Sequence, residues 1–351
     1  MTSNLALSFR EESTSPQSLE RFLSERGIDF LLVQFVNLHG RPSGKLIPSS
    51  AAYESVVRGV PFGGYSAEAL GRAPEESDLI ARPDLASLTL LPWKPNVAWV
   101  AADLTDQSGA EYPYCSRSIL RRQLDDLRSS EQLSMQTGPE LEYYLVRGNG
   151  ATLPEPIDET VGPPRSAYSV RRLVGHLDFA AEVTRYLEQM GWEAYAVDHE
   201  DGAGQFEHNF KYADALETAD RTILFRQMVG ALAGKRGLTA TFMPKPFMHQ
   251  AGSGGHLHLS LWRDDKNLFA TTPNDGSLQP AELSAMGRSF LAGLLHHAPA
   301  YVAITAPLVN SYKRLRPATS VSGHNWTSSG SCWGRENRTA LFRIPGGGRI
   351  E

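Results

Sequence analysis

Residues 252–262 read GSGGHLHLSLW, and this stretch indicates a half-buried strand more clearly than any other in the chain. On a strand, His256, His258 and Ser260 lie on one face, and the leucines between them lie on the other. The leucine face is expected in the core. Two histidines at this spacing can bind a metal ion, zinc included, but such a pair is as often an ordinary core or surface feature. The stretch predicts a strand with a candidate metal site.

Two further segments carry acidic pairs. The segment GPELEYYLV, residues 138–146, puts Glu140 and Glu142 on one strand face, and HEDGAGQFE, residues 199–207, puts Glu200 and Glu207 at the two ends of a glycine-containing turn. Each segment alone also fits a solvated sheet face or a polar hairpin. Taken with the histidines, these glutamates favour magnesium or manganese over zinc, because hard cations prefer oxygen ligands.

Arginines gather towards the end of the chain. The segments NSYKRLRP (310–317), GRENRTALFRIP (334–345) and GGGRIE (346–351) are otherwise apolar or glycine-rich. They contain Arg314, Arg338, Arg343 and Arg349, with Glu351 beside the last of these. Such arginines pair either with the acids above or with phosphates, and phosphates are favoured here. Since the sequence has no phosphate-binding glycine loop and no protein-kinase signature, a nucleotide would have to be held by metals and arginines.

Bulk composition excludes several classes of protein. The 351 residues are 41% hydrophobic and 21% charged, with a formal net charge of −5 and no basic stripe, so nucleic acid is not expected as a partner. No apolar run is long enough for a membrane-spanning helix, so no membrane partner is expected either. The two cysteines, Cys115 and Cys332, are far apart, which favours a reducing cytoplasm over an exported, disulfide-bonded chain.

Periodicity predicts α+β organisation. In the N-terminal part we predict a helix over 18–27 with Ser18 as its cap, a strand over 29–40, a loop over 72–84, and strands over 88–93 and 97–104. Together these elements form one compact domain that ends near Pro113. Further along, helices are predicted over 116–130, 169–190, 213–234 and 281–297, with strands over 138–146, 192–200, 204–210, 238–243 and 255–262. The short strands and short loops predict much antiparallel sheet.

Five segments in this order resemble the successive motifs of the glutamine synthetase family: GPELEYYLV, HEDGAGQFE, TFMPKPFMHQAGSGGHLHLSLW (241–262), LLHHAPAYVAITAPLVNSYKRL (294–315) and NRTALFRIP (337–345). The resemblance implies a small N-terminal β-grasp domain over residues 1–113, roughly the first 15 residues being a leader. A catalytic domain would follow over 114–351, with a curved, largely antiparallel sheet flanked by helices. Family members assemble as two stacked rings, so a homo-oligomer, a dodecamer, is implied, with active sites between neighbouring subunits.

The resemblance also assigns roles to the candidate residues. Glu142, Glu200 and Glu207 match ligands of a first metal ion, and Glu140, His256 and Glu351 match ligands of a second, either Mg²⁺ or Mn²⁺. Gly252 and Arg314 match glutamate-binding residues, while Arg338, Arg343 and Arg349 match residues around the ATP phosphates, and His258 and Ser260 point towards ATP. Arg314 and Arg338 are the implied catalytic residues. The implied reaction forms γ-glutamyl phosphate from glutamate and ATP, after which ammonia or a small alkylamine attacks it.

The chain departs from ammonia-specific members at two places. Residues 62–66 read FGGYS and residues 314–326 read RLRPATSVSGHNW, so the two acids that bind ammonium in those members are missing. In this it resembles the γ-glutamylmethylamide synthetase branch, which predicts an alkylamine such as methylamine as acceptor. The chain also stops at Glu351 where relatives continue, which suggests truncation. A catalytically weak member with a binding or regulatory role is the alternative, and a zinc hydrolase using His256 and His258 is a more distant one.

Overall fold

The computed structural model describes residues 16–68, 70–148, 154–158, 166–271, 282–315, 326–328 and 330–351. The predicted leader and residues 316–325 of the second departing segment lie outside these ranges. The chain divides into two compact units. The first comprises Met1–Glu131, Tyr186–Trp192 and Ala219–Leu224, and the second comprises Gln132–Arg185, Glu193–Thr218 and Phe225–Glu351.

The first unit is built on a mixed sheet. Its elements are α1 (Pro16–Glu25), β1 (Phe30–Val36), β2 (Pro42–Pro48), α2 (Ala52–Arg58), β3 (Val60–Phe62), β4 (Leu79–Pro83), β5 (Thr89–Leu90), β6 (Val97–Thr105) and α3 (Ser116–Glu131). The strand order is β2-β1-β6-β4-β3, with β5 on β6; β1 and β6 run parallel and the other pairs run antiparallel. Leu31, Val33 and Val100 are fully buried between the strands and helices, as the apolar runs of β1 and β6 require.

The second unit is organised around one long strand. Its elements are β7 (Ser134–Arg147), β8 (Glu155–Pro156), α4 (Val170–Gly175), α5 (Leu177–Gln189), β9 (Ala194–His199), β10 (Gln205–Phe210), β11 (Ala213–Asp214), α6 (Ala215–Gly234), β12 (Thr239–Thr241), β13 (Gly255–Arg263), β14 (Lys266–Asn267), α7 (Ala285–Thr305), α8 (Val309–Leu315), β15 (Trp333–Arg335) and β16 (Phe342–Ile344). Strand β7 pairs with β13 along one edge and with β10 along the other, and every pairing in this sheet is antiparallel. The predicted α+β class with a largely antiparallel second sheet is therefore confirmed.

Several predicted elements differ from the structure. The single helix predicted over 169–190 is two helices, α4 and α5, separated at His176, whose side chain bonds Asp158 at 2.8 Å. The loop predicted over 72–84 contains strand β4, which pairs with both β3 and β6. Ser18 lies inside α1 rather than capping it. The added strand and the helix break depend on contacts with residues distant in the sequence.

The leucine face of β13 is less buried than predicted. Leu261 is buried, whereas Leu257 is 44% exposed. In the described part of the chain, no helix is both long enough and apolar enough to span a membrane.

Candidate active site

Strand register in the second sheet brings the predicted acids into one row. Glu142 of β7 lies opposite Glu207 of β10, and Glu207 lies opposite Asp198 of β9. On the other edge of β7, Glu140 lies opposite His256 of β13. Because cross-strand partners project from the same face of a sheet, all five side chains meet on one surface.

Three groups in this surface have ligand atoms close enough to share a metal ion. Within each group, the carboxylate oxygens and imidazole nitrogens lie within 4.8 Å of one another. The groups are Glu142 with Glu200 and Glu207, Glu140 with Glu207 and His256, and Glu140 with His258 and Glu351. The structure thus brings together all six predicted metal ligands, but it groups Glu351 with His258 rather than with His256. These six residues, together with Asp198, are called the acidic row.

His258 is held mainly by Glu140. Its Nε2 atom lies 2.7 Å from Glu140 Oε1 and 3.8 Å from Glu351 Oε2, while its Nδ1 atom is buried without a partner among the described residues. His256 Nδ1 is farther from Glu140, at 3.9 Å. One glutamate therefore connects both histidines of β13.

The acids raise one another's pKa. Burial, followed by repulsion from Glu142, raises the pKa of Glu200 to about 8 and that of Glu207 to about 9. Burial and the neighbouring carboxylates also raise the pKa of Asp198. For Glu140, burial raises the pKa, but the hydrogen bond from His258 and the charges of His258, His256 and Arg343 together lower it below its ordinary value. The cluster carries more negative charge than its own surroundings compensate, which is the condition that a bound divalent cation relieves.

These acids line a cavity of about 360 Å³ in the second unit. Arg314, Arg338 and Arg343 lie in its wall, together with Lys245 and the backbone of Gly252. The cavity therefore has an acidic part and a cationic part. Such a division suits a site in which metal ions bind phosphates at the acidic part and cationic side chains bind a carboxylate or phosphates at the other part.

The predicted arginines differ in their surroundings. Arg343 is buried and forms an ion pair with Glu351, whereas Arg338 and Arg349 are exposed. Burial lowers the pKa of Arg314, and its Nε atom is buried without a hydrogen-bond partner among the described residues. Arg349 does not line the cavity. Neither does Ser260, which is buried and accepts a hydrogen bond from Trp262 Nε1 at 2.9 Å.

The loop that contains Gly252 is fixed from several sides. Gln205 Nε2 donates to the Gly252 carbonyl at 3.0 Å and to Glu142 Oε2 at 2.8 Å, and the Gly254 N–H donates to the same carboxylate oxygen at 2.8 Å. Tyr144 donates through its hydroxyl to the Ala251 carbonyl at 2.7 Å. The loop and the acidic row are therefore one connected hydrogen-bond network.

Among the cavity residues that sequence reasoning missed are Asp198 and Lys245. Asp198 lies two positions before Glu200 near the end of β9, so alternation along the strand predicted over 192–200 could have identified it. Lys245 stands between Pro244 and Pro246 in an otherwise apolar segment. A lysine in that setting is a signal for a buried charge.

The residues of the acidic row fit a divalent cation. Their donors are carboxylate oxygens with one or two imidazole nitrogens, the chemistry that Mg²⁺ and Mn²⁺ accept. Burial and repulsion from neighbouring carboxylates both raise the pKa values of Glu200 and Glu207, and a bound cation would offset both effects. Sulfur ligands are absent from these groups. The arrangement favours hard, oxygen-preferring metals over structural zinc.

Comparison with known protein families matches residues 113–351 to the family described as glutamine synthetase, catalytic domain. The chain is 38% identical over 335 residues to the glutamine synthetase of Rhizobium leguminosarum bv. phaseoli, a match covering 95% of this chain and 74% of that protein. It is 34% identical over 339 residues to the glutamate–methylamine ligase of Methyloversatilis universalis, covering 96% of this chain and 75% of that protein.

Solved structures give the same result. The complex of GmaS with ADP superimposes with a TM-score of 0.84 at 39% identity, and the match covers 95% of this chain and 75% of that one. GmaS without ligand matches with a TM-score of 0.83 at 38% identity.

Proposed function

Because this chain belongs to the glutamine synthetase family, we propose that it is an ATP-dependent ligase that joins the side-chain carboxylate of glutamate to ammonia or a small alkylamine. The observation that carries the proposal is the cavity itself, which is lined by a row of carboxylates on one part and by a set of arginines on another. Phosphoryl transfer to a carboxylate needs both, because the phosphates and the acceptor are all anions.

The acidic row would hold two divalent cations, Mg²⁺ or Mn²⁺. Glu142, Glu200 and Glu207 would bind the first. Glu140, His256 and Glu351 would bind the second, and the 2.7 Å contact between His258 and Glu140 supports a role for His258 in orienting that carboxylate. When bound, these cations would neutralise negative charge on the phosphate oxygens.

Glutamate would be bound by Arg314 and by the loop at Gly252. Arg314 lies in the cavity wall and has an unpartnered, buried Nε donor among the described residues, which supports an anionic ligand beside it. The Gly252 loop is held by Gln205 and Tyr144, so its backbone groups are already oriented before the substrate arrives.

ATP would be bound by the remaining cations. Arg338, Arg343 and Arg349 would contact its phosphates, with His258 and Ser260 towards the nucleotide. Arg314 and Arg338 would stabilise charge during the reaction. A glutamate side-chain oxygen would bond to the γ-phosphorus while the bond from that phosphorus to the ADP oxygen breaks. The amine would then attack the γ-carbonyl carbon of γ-glutamyl phosphate, lose a proton and expel phosphate.

An alkylamine is the proposed acceptor. The segment FGGYS at 62–66 has no acid where ammonia-specific relatives have one, and similarity to a glutamate–methylamine ligase and to GmaS supports the same choice. A pocket with less negative charge favours an amine that gains from apolar contact over the small ammonium ion. We also propose a ring-shaped homo-oligomer, a dodecamer, as the family resemblance implies, and a cytoplasmic location, which the two widely spaced cysteines favour.

Phosphate release from ATP tests the proposal. The assay contains Mg²⁺ or Mn²⁺ and glutamate, and compares ammonium, methylamine and ethylamine. Glutamate-dependent release that is fastest with an alkylamine is expected, and the Glu142→Gln variant should be inactive. Equal or better turnover with ammonium would contradict the alkylamine proposal. If ATP binds but glutamate stimulates no release, the chain is instead a binding or regulatory member of the family.

A further inference from the structure

Lys245 is the only buried lysine in the described part of the chain, and it lines the proposed active-site cavity. The residue as a whole is 6% exposed to solvent. The Lys245 N–H donates to Asn310 Oδ1 at 2.7 Å, and Asn310 Nδ2 donates back to the Lys245 carbonyl at 2.9 Å. This reciprocal pair ties the lysine backbone to helix α8, so its position in the cavity wall is fixed.

The ammonium group of Lys245 lacks an acidic partner. Its Nζ atom donates to the backbone carbonyl of Gln250, and it forms no ion pair with any residue that the structure describes. Burial, followed by repulsion from Arg314, lowers the pKa of Lys245. A buried cation without a compensating anion is costly, so this arrangement indicates that a ligand supplies the anion.

Arg314 adds a second unpaired cation to the same wall. Burial lowers the pKa of Arg314 as well, and its Nε donor has no partner among the described residues. Ala251 and Gly252, which lie in the same wall, have backbone N–H groups that also lack partners within the described ranges. Two cations and two free N–H donors make this wall a binding site for a carboxylate.

Lys245 also orders the loop that carries those donors. It holds the Gln250 carbonyl, and Gln250 Oε1 in turn accepts a hydrogen bond from the Ala203 N–H at 3.2 Å. The next two carbonyls, of Ala251 and Gly252, are held by Tyr144 and Gln205. Three consecutive carbonyls, of residues 250–252, thus accept hydrogen bonds from protein side chains, and Lys245 is the charged donor among these three.

We propose that Lys245 is a further substrate-binding residue that, together with Arg314, holds the α-carboxylate of glutamate. The inference rests on the proposed function. The γ-carboxylate has to reach the phosphoryl group beside the acidic row, so the carboxylate at the other end of the substrate is the one that the two cations receive. The lysine contributes its charge to the carboxylate and fixes the loop whose N–H groups complete the site.

Calorimetric binding of glutamate, in the presence of Mg²⁺ and a non-hydrolysable ATP analogue, tests the role of Lys245. Lys245→Met removes the charge and the donor, Lys245→Gln keeps a donor for the Gln250 carbonyl, and Lys245→Arg keeps the charge. The Kd for glutamate should rise roughly ten- to a hundredfold in the Met and Gln variants and should largely recover in the Arg variant. The Kd for the ATP analogue should stay within about twofold. Lys266→Met, an exposed lysine on β14, is the matched control.

The outcomes separate this inference from the proposed function. Unchanged glutamate affinity in Lys245→Met would overturn the lysine assignment alone. A loss of both glutamate and ATP-analogue binding, with a lower melting temperature, would indicate a purely structural lysine and would also overturn it. Lys245→Gln decides the question if the Met variant does not fold. Wild-type protein that binds no glutamate and releases no glutamate-dependent phosphate would overturn the proposed function and this inference with it.

Discussion

Glu207 occupies the middle of the acidic row, and we expect it to control how stability depends on pH. Burial and Glu142 raise its pKa from the ordinary value of 4.5 to about 9, and Glu200 behaves similarly. Between about pH 4.5 and pH 9, the range between the unfolded and folded pKa values, the folded protein binds more protons than the unfolded chain. The free energy of unfolding therefore falls as pH rises. The melting temperature of the metal-free protein should therefore decrease from about pH 5 to about pH 9.

Thermal unfolding in a chelator, measured at several pH values, checks this prediction. Glu207→Gln should flatten the decrease and raise the melting temperature at high pH by a few degrees, because it removes the charge that the fold must accommodate. Added Mg²⁺ should stabilise the wild type more than the variant. Glu188→Gln, an exposed substitution on α5, should behave as wild type. Parallel slopes for wild type and Glu207→Gln would contradict the prediction.

Gly252 is a position where only glycine fits. A Cβ atom there would lie 2.8 Å from Arg314 Cγ and 2.8 Å from the Pro244 carbonyl oxygen. The backbone oxygen has little freedom to move, so Gly252→Ala should displace the loop or Arg314 and raise the KM for glutamate at least roughly tenfold, leaving the KM for ATP little changed.

Steady-state kinetics with varied glutamate and varied ATP measures the effect of Gly252→Ala. Gly293→Ala is the control, because a Cβ there meets nothing within 4 Å. That variant should keep wild-type kinetics and gain slightly in helix stability. An unchanged KM for glutamate in Gly252→Ala would argue against a glutamate site at this loop.

At the residue level, sequence motifs predicted most of the candidate site. Glu142, Glu200 and Glu207 do meet, because alternation along a strand fixes the face on which a side chain lies. The sequence did not reveal that Glu351 would group with His258, because that contact depends on the main-chain pairing of the chain end with Arg343 and Leu259. The apolar segment around Lys245 signals a buried charge, but its place beside Arg314 arises only in the folded chain, so spacing did not connect the two residues.

Helix α3 begins with a buried charge cluster, and we expect Arg117 to hold this element in place. Arg117 is 8% exposed and donates hydrogen bonds to Asp84, Asp103 and Asp220 at 2.8–3.0 Å. Burial alone would raise the pKa of Asp84, but hydrogen bonds from Arg121 and Arg117 lower it to about 2. Arg117→Met would leave buried carboxylates without their main partner and should cost about 3 kcal/mol of stability.

Urea unfolding followed by circular dichroism measures the loss in Arg117→Met. Arg128→Met on the same helix is the matched control, because Arg128 is exposed and its Nη1 atom lies 3.9 Å from Asp125 Oδ1. That control should change the unfolding midpoint little. If both variants unfold at the same urea concentration as wild type, the cluster does not stabilise the helix.

Element boundaries were predictable where local chemistry decides them. Helix α6 begins at Ala215 with Asp214 as its N-cap, because the Asp214 carboxylate accepts from the Leu216 N–H at 3.0 Å, and the helix ends at Gly234. The break between α4 and α5 was not predictable, because His176 leaves the helix to bond Asp158, which also bonds the buried His199. A periodic pattern does not report such a contact between distant segments.

At the scale of the whole chain, the two units are not continuous in sequence. The first unit includes α3 together with Tyr186–Trp192 and Ala219–Leu224, which are parts of helices that belong mainly to the second. The family match begins at residue 113. The limits 1–113 and 114–351 stay predictions, since a sequence read in order cannot show segments that return to an earlier unit.

All the residues that line the proposed active site belong to the second unit, and this predicts where ligands will change the dynamics of the molecule. Binding of Mg²⁺, glutamate and a non-hydrolysable ATP analogue should slow amide hydrogen exchange most in β9, β10 and the loop at 250–254, because these segments hold the acidic row and the Gly252 donors. The central strands β1 and β6 of the first unit should change less. Hydrogen-exchange mass spectrometry with and without the ligands measures this, and Glu142→Gln should lose the protection. Equal protection in both sheets, or none in β9 and β10, would place the ligands elsewhere and would contradict the proposed location of the active site.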